Sequence, residues 1–511
     1  MKISRRDFTV MAAGALALRA LSRSGLAQMA GAGGADDLTG LSLTEAAAKI
    51  RSGAVTSTQL TEACLARIAI YNPKLDAFIT VMKERALAQA ARCDAEMTAG
   101  RPRGPLHGIP IALKDNIDTA GTRTTAGSAV FEDRVPGEDA TVTARLEAAG
   151  AVIVGKTNLQ EFAMGGGETS YWGPARNPWA LDHNTGGSSA GSGAAIAANL
   201  CYGALGTDTG GSIRMPASYC GIVGLKPTYG LVPIRGIVPL RVSMDHCGPM
   251  TRTVEDAALM LNSLTGYDKL DITSVEHPKE DYVQGMKQPV SGLRLGTPAS
   301  FFDDLDPEVA KSVADAVAVL AKLTAGVKDV VLPPTFALGG GGASAETWAY
   351  HEELYKHEAA RYMLPERRRL EAAAATNGGN AADYVRQSWA LQLLRRTIDD
   401  AFTDFDLVVM PTQRILPPLL DDLIRKAHDS KPSDPAGTSN CPPFDVFGTP
   451  AISIPCGFSA SGLPIGLMIS GPRFSESRVL ALADAYEKAT QWHVRKPALT
   501  PSTVKPPVVT S

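Results

Sequence analysis

N-T-G-G-S-S-A-G-S-G-A-A-I-A-A-N-L, Asn184 to Leu200, runs straight into C-Y-G-A-L-G-T-D-T-G-G-S-I-R-M-P-A-S-Y-C-G-I-V-G-L-K-P, Cys201 to Pro227. Two glycine–serine turns stand here, Gly186 to Ser192 and Gly210 to Ser212. Between them Gly193 to Leu200 is alanine-rich and favours a helix. Glycines at 186, 187, 210 and 211 let the backbone turn sharply and bring N–H groups close to a small ligand. Each turn ends in serine, whose hydroxyl becomes a nucleophile only beside a base. A bare Gly/Ser run reads as a flexible linker. This one is embedded in Ile213-Arg214-Met215-Pro216 and in Gly221 to Pro227, whose apolar spacing places both turns inside a core.

Outward from this centre, strand and helix patterns alternate. Ser42-Leu43-Thr44-Glu45 has the form of a capping box, and Leu60, Cys64, Leu65 and Ile68 recur at helical spacing up to a stop at Asn72-Pro73. Phe78 to Val81 reads as a strand, followed by a helix to about Ala99. Ile109 to Leu113 leads into Lys114, which places that lysine at a strand end, where α/β proteins gather their site residues. Val254 to Leu264 and Ala381 to Asp400 read as helices, Leu293 to Thr297, Asp406 to Met410 and Ala451 to Pro455 as strands, and Leu480 to Trp492 as a closing amphipathic helix. Tyr267 to Val290 and Pro333 to Ser344 turn polar or glycine-rich and read as surface loops. This alternation implies an α/β layer architecture.

Gly150-Ala-Val-Ile-Val-Gly155-Lys156-Thr157 fits the phosphate-loop pattern letter for letter. Its four intervening residues are themselves a buried strand by composition, so the wrapping loop is missing. ATP binding is rejected, and Lys156 reads as a turn residue.

The chain of 511 residues, 44% hydrophobic, can bury a large core, and its net charge of −3 argues against nucleic-acid binding. Seven cysteines show no C-x-x-C spacing, and most read as buried apolar fillers, with one disulfide left open. His351 and His357 are six apart and cannot form an H-E-x-x-H pair, and no other metal constellation stands out. Neither metal nor cofactor is expected.

The glycine–serine stretch, together with Gly104-Pro-Leu-His-Gly-Ile-Pro-Ile-Ala-Leu-Lys-Asp-Asn116, resembles the amidase signature family of serine hydrolases, which use a Ser–Ser–Lys triad. The resemblance covers roughly Leu41 to Pro497, in several motifs in the right order. It implies one α/β/α domain around a large mixed, twisted sheet, over residues 41–497. It also implies that Lys114 is the general base, Ser188 a bridging serine with a cis peptide bond, and Ser212 the acylated nucleophile. On spacing alone, Lys114 reads as a surface lysine paired with Asp115, and Ser188 as a helix N-cap. The implied oxyanion donors are the backbone N–H groups of Thr209, Gly210, Gly211 and Ser212. Met164 and Gly165 match substrate-pocket positions. Ser189 and Arg214 match residues that orient the triad, and an ion pair is the competing reading for Arg214. Ala190 stands where many members have glycine. Asp445 stands where asparagine is frequent, which puts the local loop contacts in doubt but not the triad.

Arg5-Arg6 before the apolar run Thr9 to Leu18 resembles a twin-arginine export signal cleaved near Ala27. The expected organisation is a signal over 1–27, a spacer over 28–40, the domain over 41–497 and a loose Pro-rich tail over 498–511. The expected location is periplasmic or secreted, with no stable membrane insertion. The functional expectation is an amidase acting on a small-molecule amide with water, with esters or carbamates open to the same chemistry. Two alternatives stand beside it, the glutaminase-type half of an amidotransferase and a non-catalytic amide-binding relative. Oligomeric state is not legible.

Overall fold

The computed structural model describes residues 38–165, 169–335, 345–376, 378–429 and 435–508. The twin-arginine segment, most of the spacer and the glycine run at 339–342 lie outside the described residues.

Among the described residues eleven strands form one sheet. In chain order they are β1 (Phe78–Val81), β2 (Pro110–Lys114), β3 (Val152–Thr157), β4 (Gly203–Asp208), β5 (Val223–Lys226), β6 (His246–Thr251), β7 (Arg294–Pro298), β8 (Gly326–Val330), β9 (Leu407–Pro411), β10 (Ala451–Phe458) and β11 (Pro464–Ser470). Across the sheet the order is β1-β3-β2-β4-β6-β5-β10-β11-β9-β7-β8. Strands β3, β2 and β4 run parallel, as do β9, β7 and β8, while the middle of the sheet is antiparallel. The sheet is therefore mixed, as expected.

Its buried strands alternate between two cores, because successive side chains leave opposite faces. Ile111, Leu113, Ile153 and Leu205 join one core with the helices Val254–Leu264, Pro307–Leu323 and Glu476–Thr490. Ala112, Val152, Val154 and Ala204 join the other with the helix Ala190–Ala197. Each fully buried Ile or Leu contributes about 1.5–3 kcal/mol. Helices thus cover both faces, which is the α/β/α arrangement. No helix among the described residues is long and apolar enough to cross a membrane.

The capping box at Ser42 and Glu45 forms, and β1 and the helix Val254–Leu264 have the expected bounds. Three expectations change. The helix from Ser57 continues through Pro73 to Leu75, and Asp76 in the left-handed region ends it. Lys156 is not in a turn. It lies inside β3, and its neighbour Gly155 is required because a Cβ there would meet Thr80 O at 2.5 Å. The described part of the tail, 498–508, is not loose: Lys505 pairs with Asp76, Lys74 Nζ donates to Thr503 O (2.7 Å), and Arg176 Nη2 donates to Pro506 O (3.1 Å). None of the seven cysteines is disulfide-bonded, and all are buried.

Candidate active site

Lys114 ends β2, on the face that carries the helix Ala190–Ala197, and is completely buried. Its Nζ lies 2.7 Å from Ser188 Oγ and 2.7 Å from Thr207 Oγ1. Asp115 does not pair with it. That carboxylate turns to another buried lysine, Lys156 (3.6 Å), and accepts from Thr125 N and Oγ1. Burial without a carboxylate in contact pushes the Lys114 ammonium down from 10.5 to about 7, against the opposing fields of Asp208 and Asp245. A lysine so placed is neutral often enough near neutral pH to take a proton.

The two serine turns converge on this lysine. Gly187-Ser188 is a cis peptide, the geometry the family resemblance implies. Gly187 packs against the Gln160 side chain, where a Cβ would come within 2.6 Å. Ser188 O accepts from Gln160 N (3.3 Å). Ser212 sits between β4 and the helix Arg214–Cys220, and its carbonyl accepts from Ser189 N (3.2 Å), so the two turns are tied backbone to backbone. Ser189 does not cap the following helix with its side chain. Its hydroxyl instead donates to Thr207 O and accepts from Thr207 N (both 3.2 Å), locking the first turn to the end of β4.

One carboxylate organises the turn that carries Ser212. Asp208 Oδ1 accepts from Gly211 N (2.5 Å) and Oδ2 from Ile213 N (3.1 Å), the N–H groups on either side of Ser212. The expected oxyanion set therefore needs one correction. Gly211 N–H is taken by Asp208, which leaves those of Thr209, Gly210 and Ser212 as the candidate donors. Gly211 itself has φ +121°, and a Cβ on it would lie 2.6 Å from Cys441 Cβ, whereas beside Gly210 there is open space. Thr209 Oγ1 donates to Asp245 Oδ1 (2.6 Å).

Arg214 does form an ion pair, and that pair supports the turn. Nε and Nη2 donate to the two oxygens of Asp208 (3.0 Å each), and Nη2 also donates to Asp445 Oδ2 (2.7 Å). The guanidinium drives Asp208 far below the usual carboxylate range despite full burial. Asp445 thus reaches beneath the Ser212 turn, not merely into its own loop.

Met164 and Gly165 lie in the 161–165 loop. Arg369 holds both carbonyls with Nη1, and Met164 packs on a cluster with Phe162, Trp348 and Tyr362. Glu161 of this loop and Glu366 are buried, and burial raises them to about 7 and about 8. Sequence reasoning misses Thr207, Asp208 and Asp245. A signal for Asp208 is present, since Asp directly before T-G-G-S is a residue that bonds nearby backbone in a turn. Thr207 needs the β2–β4 pairing, which spans 93 residues from Lys114. Among the described residues one group could suit a metal, Cys93, Glu96 and His107, but Glu96 is already bound to Arg103 and His107 Nε2 lies 2.9 Å from Cys93 O.

The Amidase family profile matches residues 59–480. The chain belongs to the amidase family. It is an amide-hydrolysing enzyme with the amidase signature fold. It is 40% identical over 485 residues to the glutamyl-tRNA(Gln) amidotransferase A subunit of Geobacter sp. strain M21, covering 90% of this chain and 99% of that one. The native peptide amidase of Stenotrophomonas maltophilia superposes with a TM-score of 0.75 at 33% identity, covering 89% of this chain and 98% of that one. A 6-aminohexanoate cyclic dimer hydrolase superposes with a TM-score of 0.79 at 30% identity, covering 90% and 99%.

Proposed function

We propose that this amidase cleaves a carboxamide through an acyl-enzyme on Ser212. Neutral Lys114 draws a proton from Ser188, which draws one from Ser212 as its Oγ attacks the amide carbon. The oxyanion that forms meets the N–H groups of Thr209, Gly210 and Ser212, each such donor being worth about 3 kcal/mol. The proton returns through Ser188 to the leaving nitrogen, and water then repeats the sequence on the ester. The observation that carries this reading is the 2.7 Å contact between Lys114 Nζ and Ser188 Oγ in a fully buried setting. Labelling with a fluorophosphonate, followed by peptide mapping, tests it. The adduct is expected on Ser212 and absent in Lys114→Ala, and an adduct on another residue refutes the assignment.

A second, finer reading is favoured by the curated relatives: the amide is that of glutamine, and the chain acts as the glutaminase-type component of a tRNA-dependent amidotransferase. Its support is the 40% identity carried across 99% of such a protein. The stand-alone reading draws on Arg5-Arg6 and the apolar run after them, which we read as an export signal that sends the folded enzyme to the periplasm or beyond. Two measurements separate the readings. Glutamine turnover with a second polypeptide co-purifying from the native cell supports the amidotransferase reading. A mature N-terminus near residue 28 on periplasmic protein supports the exported amidase.

A further inference from the structure

Every N–H of the Arg214 guanidinium has an acceptor. Nε and one Nη2 hydrogen go to Asp208, the other Nη2 hydrogen to Asp445 Oδ2, and Nη1 donates to Cys441 O (2.8 Å) and Met468 Sδ (3.5 Å). Asp208 and Asp445 therefore share one guanidinium nitrogen, and Asp208 in turn grips Gly211 N and Ile213 N around Ser212. Asp445 Oδ1 has no hydrogen-bond partner and lies 3.5 Å from His246 Nδ1.

We propose that Asp445 is a positioning residue of the reaction, fixing Arg214 so that Asp208 holds the backbone on both sides of the nucleophile. This rests on the reading of Ser212 as the nucleophile. The same segment also presses Cys441 against Gly211, so residues 441–445 support the turn at two points. The groups that face Asp445 are Asp208 from β4, Arg214 from its helix, Lys226 from β5, His246 from β6, Cys441, and Arg395, whose Nη2 donates to Asp445 O (2.9 Å). Lys226 Nζ is bound to Thr449 O (2.6 Å), Pro227 O (3.2 Å) and His246 Nε2 (3.3 Å). Burial first, and the charge of Asp208 second, hold the Asp445 carboxyl well above the usual range, whereas burial keeps His246 neutral. Asp445 is thus the carboxyl of the pair that keeps its proton. As pH rises it ionises and sets a second anion against Asp208 around Arg214, which weakens the grip on the turn.

The test compares kcat, KM and Ser212 labelling rate by a fluorophosphonate across pH, in wild type, Asp445→Ala and Asp445→Asn, with thermal unfolding followed in parallel. Asp445→Ala is expected to lose at least tenfold in kcat and in labelling rate with KM little changed. Asp445→Asn, which can still meet Arg214, is expected to recover most of that loss and to lack the alkaline decline of the wild type. Wild-type kcat and labelling in folded Asp445→Ala overturn the proposal. If the alanine variant does not fold, an unchanged alkaline limb in Asp445→Asn overturns it instead. Label on a residue other than Ser212 in the wild type would sink the nucleophile assignment itself, a distinct result.

Discussion

Lys114 and Lys156 are neighbours on parallel strands and are both completely buried, yet their surroundings differ. Lys114 pairs in register with Thr157 and Lys156 with Leu113, so the two side chains leave opposite faces of the sheet. Lys156 Nζ donates to Ile117 O (2.5 Å) and Thr124 Oγ1 (2.7 Å), with Asp115 at 3.6 Å. Lys114 has two hydroxyls and no carboxylate in contact. Burial lowers Lys156 to about 8, with Asp115 pulling it back up, and lowers Lys114 to about 7. A carboxylate partner makes a buried lysine a structural cation. Hydroxyl partners that can themselves pass protons suit it to the role of base proposed for Lys114.

The comparison breaks most visibly at Lys114 itself. Lys114→Ala is expected to reduce kcat by roughly four to six orders of magnitude, as removal of a triad member does, with little change in thermal unfolding. Comparable loss of fold would turn Lys114 into a second structural lysine. For Lys156→Met the balance is reversed, since Asp115 is left buried without its counter-charge. The expected cost is about 3–5 kcal/mol of stability, read by urea unfolding, with the folded fraction still labelling at Ser212.

Acidity sharpens the contrast further. Only neutral Lys114 accepts a proton, and its neutral fraction grows as pH rises through about 7. Below that point kcat/KM should therefore fall roughly tenfold per pH unit, and a profile flat from pH 5 to 8 would contradict the lysine base. Thr207→Val removes one of the two hydroxyls on Lys114 and is expected to raise the barrier to kcat by about 1.5 kcal/mol, roughly tenfold in rate. The smallest effect is assigned to the tail. Deleting residues after 499 removes the Lys505–Asp76 pair and two backbone contacts, and should cost about 1 kcal/mol or less in thermal unfolding without changing kcat.

Lys114, Ser188 and Ser212 are legible because they lie in contiguous motifs, and the structure ties the serine turns to each other and Lys114 to Ser188. The alternation of β2 and β3 is legible for a similar reason, since hydrophobic runs bounded by glycine state their own type. Lys156 is misleading because the G-x-x-x-x-G-K-T pattern presents its terminal Gly-Lys as a turn. Local sequence cannot reveal that Asp115 and Thr124 wait on the other side of the strand. Asp445 points, in sequence, only to its own loop, and its effect travels through Arg214, 231 positions away. The prolines of the tail suggest a loose end, and Asp76, its partner, is 429 positions away. What stays hidden is in each case a pairing made by topology.

The middle of the sheet joins β5 to β10, so Lys226 lies against Ala451. During synthesis, every residue of the Ser–Ser–Lys set has left the ribosome long before β10 is made. Until then β5 has an open edge, and Arg214 lacks both Asp445 and the carbonyl of Cys441. On the proposed mechanism the nascent chain thus carries its reactive groups before the scaffold that positions them, and hydrolysis waits for residues 441–458.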